Sequence, residues 1–99
     1  MKLLIDTADS QKTIIGLDKK RFTFDTKEHK SQQLLSLIDK VIKENKTSLK
    51  KISQIEVNKG PGSFTGLRVG VSVANALGWT LKVPINGKKP GELVKPKYE

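Results

Sequence analysis

The chain has no cysteine, one histidine and one tryptophan, and aromatic residues make up 5% of its 99 positions. Without thiols it can build neither a disulfide framework nor a thiolate metal site, as suits a reducing compartment, and a cytoplasmic location is expected. His29 is the only imidazole, and Asp9 and Asp25 add carboxylates without metal-ligand spacing. No metal site is therefore expected. No apolar run approaches the roughly 20 residues of a membrane span, and the run at Leu3–Ile5 is too short for a signal peptide. No membrane partner is expected. A Gly-x-Ser-x-Gly nucleophile elbow is missing, as is the Gly-Lys-Ser/Thr ending of a P-loop. Ser63 and Thr65 have one distant His29 as a candidate base, so no catalytic residue is assigned.

Arginine is nearly absent as well. Lys and Arg together number 19 against 10 Asp and Glu, a formal charge of +9, yet only Arg21 and Arg68 are arginine. Lysine is a point charge without the arginine fork. The excess fits either a solvated surface or diffuse attraction to polyanions, not the reading of bases.

At 35% hydrophobic and 29% charged, the chain can bury one modest core in a single domain. A domain this small has a limited core and can lean on a partner. Leu3–Ile5, Thr13–Leu17 and the alternating Arg21–Thr26 read as three strands, with Asp18–Lys20 as a turn. From Ser31 the apolar period changes to three and four: Leu34, Leu35, Ile38, Val41 and Ile42 predict a helix to about Asn45, with Ser31 as N-cap. Leu49 and Ile52 suit one short helical turn. Ile55 and Val57 mark a fourth strand, residues 65–80 a second helix, and residues 82–86 a fifth strand with Pro84 at its start or on an edge. Residues 88–99, rich in Lys and Pro, read as an extended tail. The expected class is therefore α/β, a mixed five-stranded sheet in the order β-β-β-α-β-α-β. That order is the one found in each ribonuclease H-like lobe of actin-like ATPases.

Between the fourth strand and the second helix stands Gly60-Pro61-Gly62-Ser63-Phe64-Thr65-Gly66-Leu67-Arg68. Its glycines permit a tight turn, and amides exposed at a helix start can hold an anion. Asp6, Thr7, Gly60, Gly62, Ser63 and Thr65 are thus a candidate phosphate or nucleotide loop. Ser63 and Thr65 are expected to cap the helix. Gly66, Gly70, Ala74 and Gly78 then recur every four residues. Glycine inside a helix costs about 1 kcal/mol against alanine, so the stripe implies close approach of another backbone. The helix is apolar nearly all round, which calls for burial on two sides. One side is the sheet; the other is either the first helix or another protein. Arg68 in the first turn opposes the helix dipole and invites an anionic partner, with Asp6 and Glu56 as candidates in the chain.

Three segments resemble the TsaB (YeaZ) family of bacterial tRNA threonylcarbamoyladenosine synthesis. They are Leu3 to Ala8, His29 to Leu35 (where Lys30 separates His29 from Ser31) and Gly60 to Val71, the most specific. The resemblance covers about residues 1–87. It implies an actin-like lobe without catalysis of its own. It further implies docking, mainly through the helices, to a TsaD-like catalytic subunit, with a TsaE-like ATPase joining and tRNA engaged indirectly. That assembly transfers threonylcarbamoyl to adenosine 37 of tRNA. The docking residues so implied are Gly66, Arg68, Val69, Gly70, Val73, Ala74, Leu77 and Gly78 on the second helix and Leu34 and Ile38 on the first. The family's second lobe has no counterpart in these residues. An actin-like nucleotide site needs both lobes, so no cofactor is expected in the isolated chain, and ATP with magnesium only in a complex. The alternatives are a nucleotide-binding half that homodimerises to make an actin-like cleft and a direct tRNA-binding module; without the catalytic partner, a homodimer through the helices is a further candidate.

Overall fold

The computed structural model describes residues 1–97. Three strands come first: β1 (Lys2–Asp6), β2 (Lys12–Leu17) and β3 (Lys20–Asp25). They form an antiparallel meander, and Asp18 makes the sharp β2–β3 turn at positive φ. Helix α1 (Ser31–Glu44) follows, then a single 3-10 turn at Leu49–Lys51. Strand β4 (Gln54–Val57) adds parallel to β1, giving the order β3-β2-β1-β4, and α2 (Phe64–Leu81) comes next.

The alternation of β1, β2 and β4 decides which side is core. Leu3 pairs with Leu17 and Ile55, and Ile5 pairs with Ile15 and Val57, so these six share one face. Leu34, Ile38, Val41 and Ile42 of α1 and Val71, Val73 and Ala74 of α2 close over that face in one apolar cluster. The opposite face carries Lys2, Leu4, Asp6, Arg21, Gln54 and Glu56; Lys2 and Glu56 pair across it at 2.7 Å. Both helices thus lie on one side of the sheet.

Two details of the helices differ from the sequence reading. Lys30, not Ser31, is the N-cap of α1, and no side chain caps that end. At the other end Asn45 takes over: its backbone N–H and its Nδ2 both donate to the Val41 carbonyl, at 3.1 and 2.7 Å. Leu35, expected in the buried stripe, stays 45% exposed.

The expected fifth strand does not form. Residues 83–86 run beside β4 but make only a parallel bridge at Ile85, through the Ile55 N–H to Pro84 and the Asn86 N–H to Ile55, both 2.9 Å. Lys82 and Asn86 take left-handed conformations at φ 57° and 51°, so the backbone enters and leaves this stretch by turning. The Asn86 side chain then replaces the next ladder residue. Its Oδ1 accepts from the Val57 N–H at 2.8 Å, and its Nδ2 donates to the Val57 carbonyl at 3.0 Å. The ladder is satisfied without a strand.

Residues 92–97 lie along α2. Val94 is buried, and its backbone N–H and C=O both bond the Asn75 side chain at 2.9 Å. Residues 98 and 99 of the expected tail lie outside the described residues. No helix among the described residues is long and apolar enough to cross a membrane.

Candidate functional site

Two surfaces meet the candidate residues: the loop at the C-terminal ends of β1 and β4, and the outer sides of the helices. The loop is tied tightly to itself. Asp6 Oδ1 accepts from the Ala8 N–H at 3.1 Å and from Asn58 Nδ2 at 3.2 Å. Asn58 Oδ1 in turn accepts from the Gly60 N–H at 3.0 Å. The Ser63 N–H goes to the Ala8 carbonyl at 2.8 Å, and Ser63 Oγ caps α2 by accepting from the Gly66 N–H at 3.3 Å. Ser63 is therefore the cap, as expected, whereas Thr65 is an exposed first-turn residue.

Gly60 and Gly62 are there for close approach. A Cβ on Gly60, already at φ 118°, would strike the Lys97 carbonyl; one on Gly62 would lie 2.8 Å from Ala8. Thr7 is fully buried and donates its hydroxyl to the Gly66 carbonyl. The amides of Gly60, Ser63 and Gly66 thus point at protein acceptors, not outward. Three of the loop's amides and the Asp6 carboxylate, which holds two N–H groups, are thus already engaged within the chain. An open cavity of about 700 Å³ does border it, lined by Asp6, Arg21, Glu56, Asn58 and Asn86 among others.

His29 explains its own burial. Its Nε2 lies 2.7 Å from the Asp9 carbonyl, so that nitrogen carries the proton, and the ring packs against Gly66. It joins the β1 exit loop, the α1 entry and the α2 start. No group of three or more His, Cys, Asp or Glu able to hold a metal occurs among the described residues.

The glycine stripe points inward. Gly66 and Gly70 sit against Thr7, and Gly78 against Ile85. Ala74 lies in the core with Leu34 and Ile38. The close backbone approach is therefore with the chain's own β1 exit and with residues 83–85. Of the residues assigned to docking, Gly66, Gly70, Val73, Ala74, Gly78, Leu34 and Ile38 are buried; Arg68 is exposed, and Val69 and Leu77 are partly exposed.

Other residues form the outer face. Leu35 and Ser31 of α1 and Ser72, Val73, Ala76, Leu77 and Thr80 of α2 line an open groove of about 360 Å³ between the helices. Ser72, Ala76 and Thr80 are small and exposed on the α2 side. Trp79, 71% exposed, stands on the same side of α2 as Ser72. Arg68 finds neither Asp6 nor Glu56; its guanidinium lies over the Phe64 ring, 5.3 Å from the centroid. Trp79, Ser72 and Ala76 are not among the docking residues expected from the sequence. Their signal is nevertheless present in it: counted at 100° per residue, they lie opposite Gly70 and Ala74.

A family model described as "TsaD: tRNA N6-adenosine threonylcarbamoyltransferase" matches residues 24–87. The chain is 41% identical over 61 residues to the "tRNA threonylcarbamoyladenosine biosynthesis protein TsaB" of Buchnera aphidicola subsp. Schizaphis graminum, covering 62% of this chain and 29% of that protein. To the TsaB of Escherichia coli K12 it is 32% identical over 89 residues, covering 86% and 38%. The solved structure "YeaZ from Pseudomonas aeruginosa" superposes with a TM-score of 0.73 at 22% identity, over 89% of this chain and 43% of that one. The chain spans less than half the length of each of these relatives.

Proposed function

The chain belongs to the TsaB/YeaZ family, under the model described as a tRNA N6-adenosine threonylcarbamoyltransferase, and from that we propose that it is a non-catalytic docking subunit in tRNA threonylcarbamoyladenosine synthesis. It acts in the cytoplasm as an actin-like lobe that holds a TsaD-like catalytic protein. The observation that carries this reading is the groove between α1 and α2, apolar through Leu35, Val73, Ala76 and Leu77 and open to solvent.

Small residues make that groove shallow. Ser72, Ala76 and Thr80 let a partner helix come close to the α2 backbone, while Leu35 and Trp79 supply large apolar area on either side. A large aromatic anchor such as Trp79 is the kind of residue that concentrates binding energy in protein interfaces. Arg68, stacked on Phe64 beside this face, is placed to meet a carboxylate of the partner. A TsaE-like ATPase reaches the assembly through the partner.

Nucleotide has no place in this lobe on our reading, because the amides of Gly60, Ser63 and Gly66 are taken by Asn58, Ala8 and Ser63. Co-expression with the cognate TsaD-like protein tests the reading. One stable heteromeric peak on size-exclusion chromatography is expected; separate elution of the two proteins contradicts it. A homodimer alone, with no heteromeric peak, would contradict it equally.

A further inference from the structure

The basic charge is not spread evenly. Three separate elements end at one pole of the molecule, and each brings lysines. Lys19 sits in the β2–β3 turn and Lys20 opens β3, Lys43 lies in the last turn of α1 with Lys46 just past its end, and Lys50 and Lys51 lie in the 3-10 turn. Short contacts fix this meeting. The Met1 nitrogen donates to the Lys51 carbonyl at 3.2 Å, and the Lys2 N–H donates to Asp18 Oδ1 at 2.9 Å. Thr47 Oγ1 approaches Met1 Sδ at 3.9 Å. A groove of about 410 Å³ runs between Lys19–Lys20 and Asn45–Thr47.

All six lysines are exposed. Only Lys43 is in an ion pair, with Asp39 at 3.0 Å; among the described residues the other five have none. Asp18 and Glu44 are the only other acids in these elements. The opposite pole, by contrast, mixes Asp6, Asp9, Asp25 and Glu28 with its lysines. The negative end of the α1 dipole accounts for Lys43 and Lys46, which lie on that helix end. It does not account for Lys19, Lys20, Lys50 or Lys51, which belong to other elements.

We infer that this pole binds the phosphate backbone of a nucleic-acid duplex without reading its sequence; that the duplex is RNA rests on the chain's proposed place in tRNA modification. Three features select that partner. Lysines supply point charges for phosphate but no bidentate fork for a base edge. The large exposed apolar residues, Leu35, Phe64, Trp79 and Leu93, all lie elsewhere. The pole therefore has no aromatic platform for unstacked bases and no anchor for a lipid surface. What remains fits a regular array of phosphates. The site is independent of the docking reading: the groove reaches the N-terminal end of α1 at Ser31, and the lysines sit at and beyond its C-terminal end.

Fluorescence anisotropy on the 99-residue chain tests this, with a labelled RNA duplex of about 20 base pairs. Binding is expected at about 50 mM salt, with roughly hundredfold weakening by about 200 mM for four phosphate contacts. The triple variant Lys46→Glu/Lys50→Glu/Lys51→Glu should lose binding. Lys88→Glu/Lys89→Glu/Lys95→Glu, with the same change in charge away from the pole, should stay within about threefold of the parent. If the first triple variant fails to fold by circular dichroism, Lys→Gln at the same three positions replaces it. The inference is overturned if both triple variants weaken binding alike or if the duplex is not bound at the lower salt. It is also overturned if single-stranded RNA, anionic phosphatidylserine vesicles or polyglutamate bind as tightly as the duplex.

Discussion

Thr7 and Gly70 share one volume: the buried Thr7 hydroxyl stands where a Cβ on Gly70 would be, and from there it donates to the Gly66 carbonyl. One residue just after β1 therefore explains two glycines of α2: its carbonyl stands against Gly66 and its side chain against Gly70. The helix can cross the strand end only because those positions have no side chain.

A glycine series should show this gradient. Gly66→Ala would push a methyl into the Thr7 carbonyl, which is backbone and cannot swing aside as a side chain can. Gly70→Ala meets the Thr7 side chain, and Gly78→Ala meets the outer part of the Ile85 side chain, with the Val83 carbonyl at ordinary contact distance. Overpacking costs about 1–3 kcal/mol, against a helix-propensity gain of about 1 kcal/mol. Urea denaturation midpoints should fall most for Gly66→Ala, less for Gly70→Ala, and barely move for Gly78→Ala. Equal effects at all three would refute the assignment of the stripe to internal packing.

Asn86 stands in for the missing strand residue. Asn86→Ala removes both bonds to Val57 and leaves its N–H and C=O facing the cavity edge. A loss of about 1–2 kcal/mol in urea is expected. Asn86→Asp keeps the acceptor but sets a carboxylate against the Val57 carbonyl, so it should be no more stable than the alanine variant. Wild-type stability in either variant would mean that the pair does not hold residues 83–86 in place.

The engaged loop amides make a third prediction. Calorimetric titration of the isolated chain with ATP and magnesium should give no binding heat at millimolar nucleotide. Binding that is lost in Asp6→Asn would show that the loop opens to accept phosphate and that Asn58, Ala8 and Ser63 do not keep its amides closed.

Much of the fold can be read from periodicity because it is local. Phe22 and Phe24 alternate in β3, and Leu34, Ile38, Val41 and Ile42 repeat in α1. The absence of a fifth strand cannot, since Val83 and Ile85 look like strand residues. Only the left-handed turns at Lys82 and Asn86, and the choice of the Asn86 side chain over backbone pairing, prevent one. The glycine stripe is visible in the sequence but its direction is not. An α2 that is apolar on most sides gives no inside or outside until Thr7, His29 and Ile85 are known to stand against it. For the same reason the docking residues we propose are Leu35, Ser72, Ala76 and Trp79, not the inward-facing Gly66, Gly70 and Gly78. The meeting of six lysines at one pole rests on contacts between Met1, Asp18, Thr47 and Lys51, which lie far apart in sequence.

The docking claim rests on exposed groups, so it can be tested without touching the core. The most direct measurement is the affinity of the cognate TsaD-like protein for the Leu35→Glu/Ala76→Arg variant, by calorimetry beside the parent chain. Both positions are exposed, so the thermal midpoint should stay put. Placing two charges in the centre of an interface should cost at least about 2–3 kcal/mol, a loss of roughly thirtyfold or more. Parent-like affinity in a folded variant would contradict the account, because the groove between α1 and α2 would then not be where the partner sits.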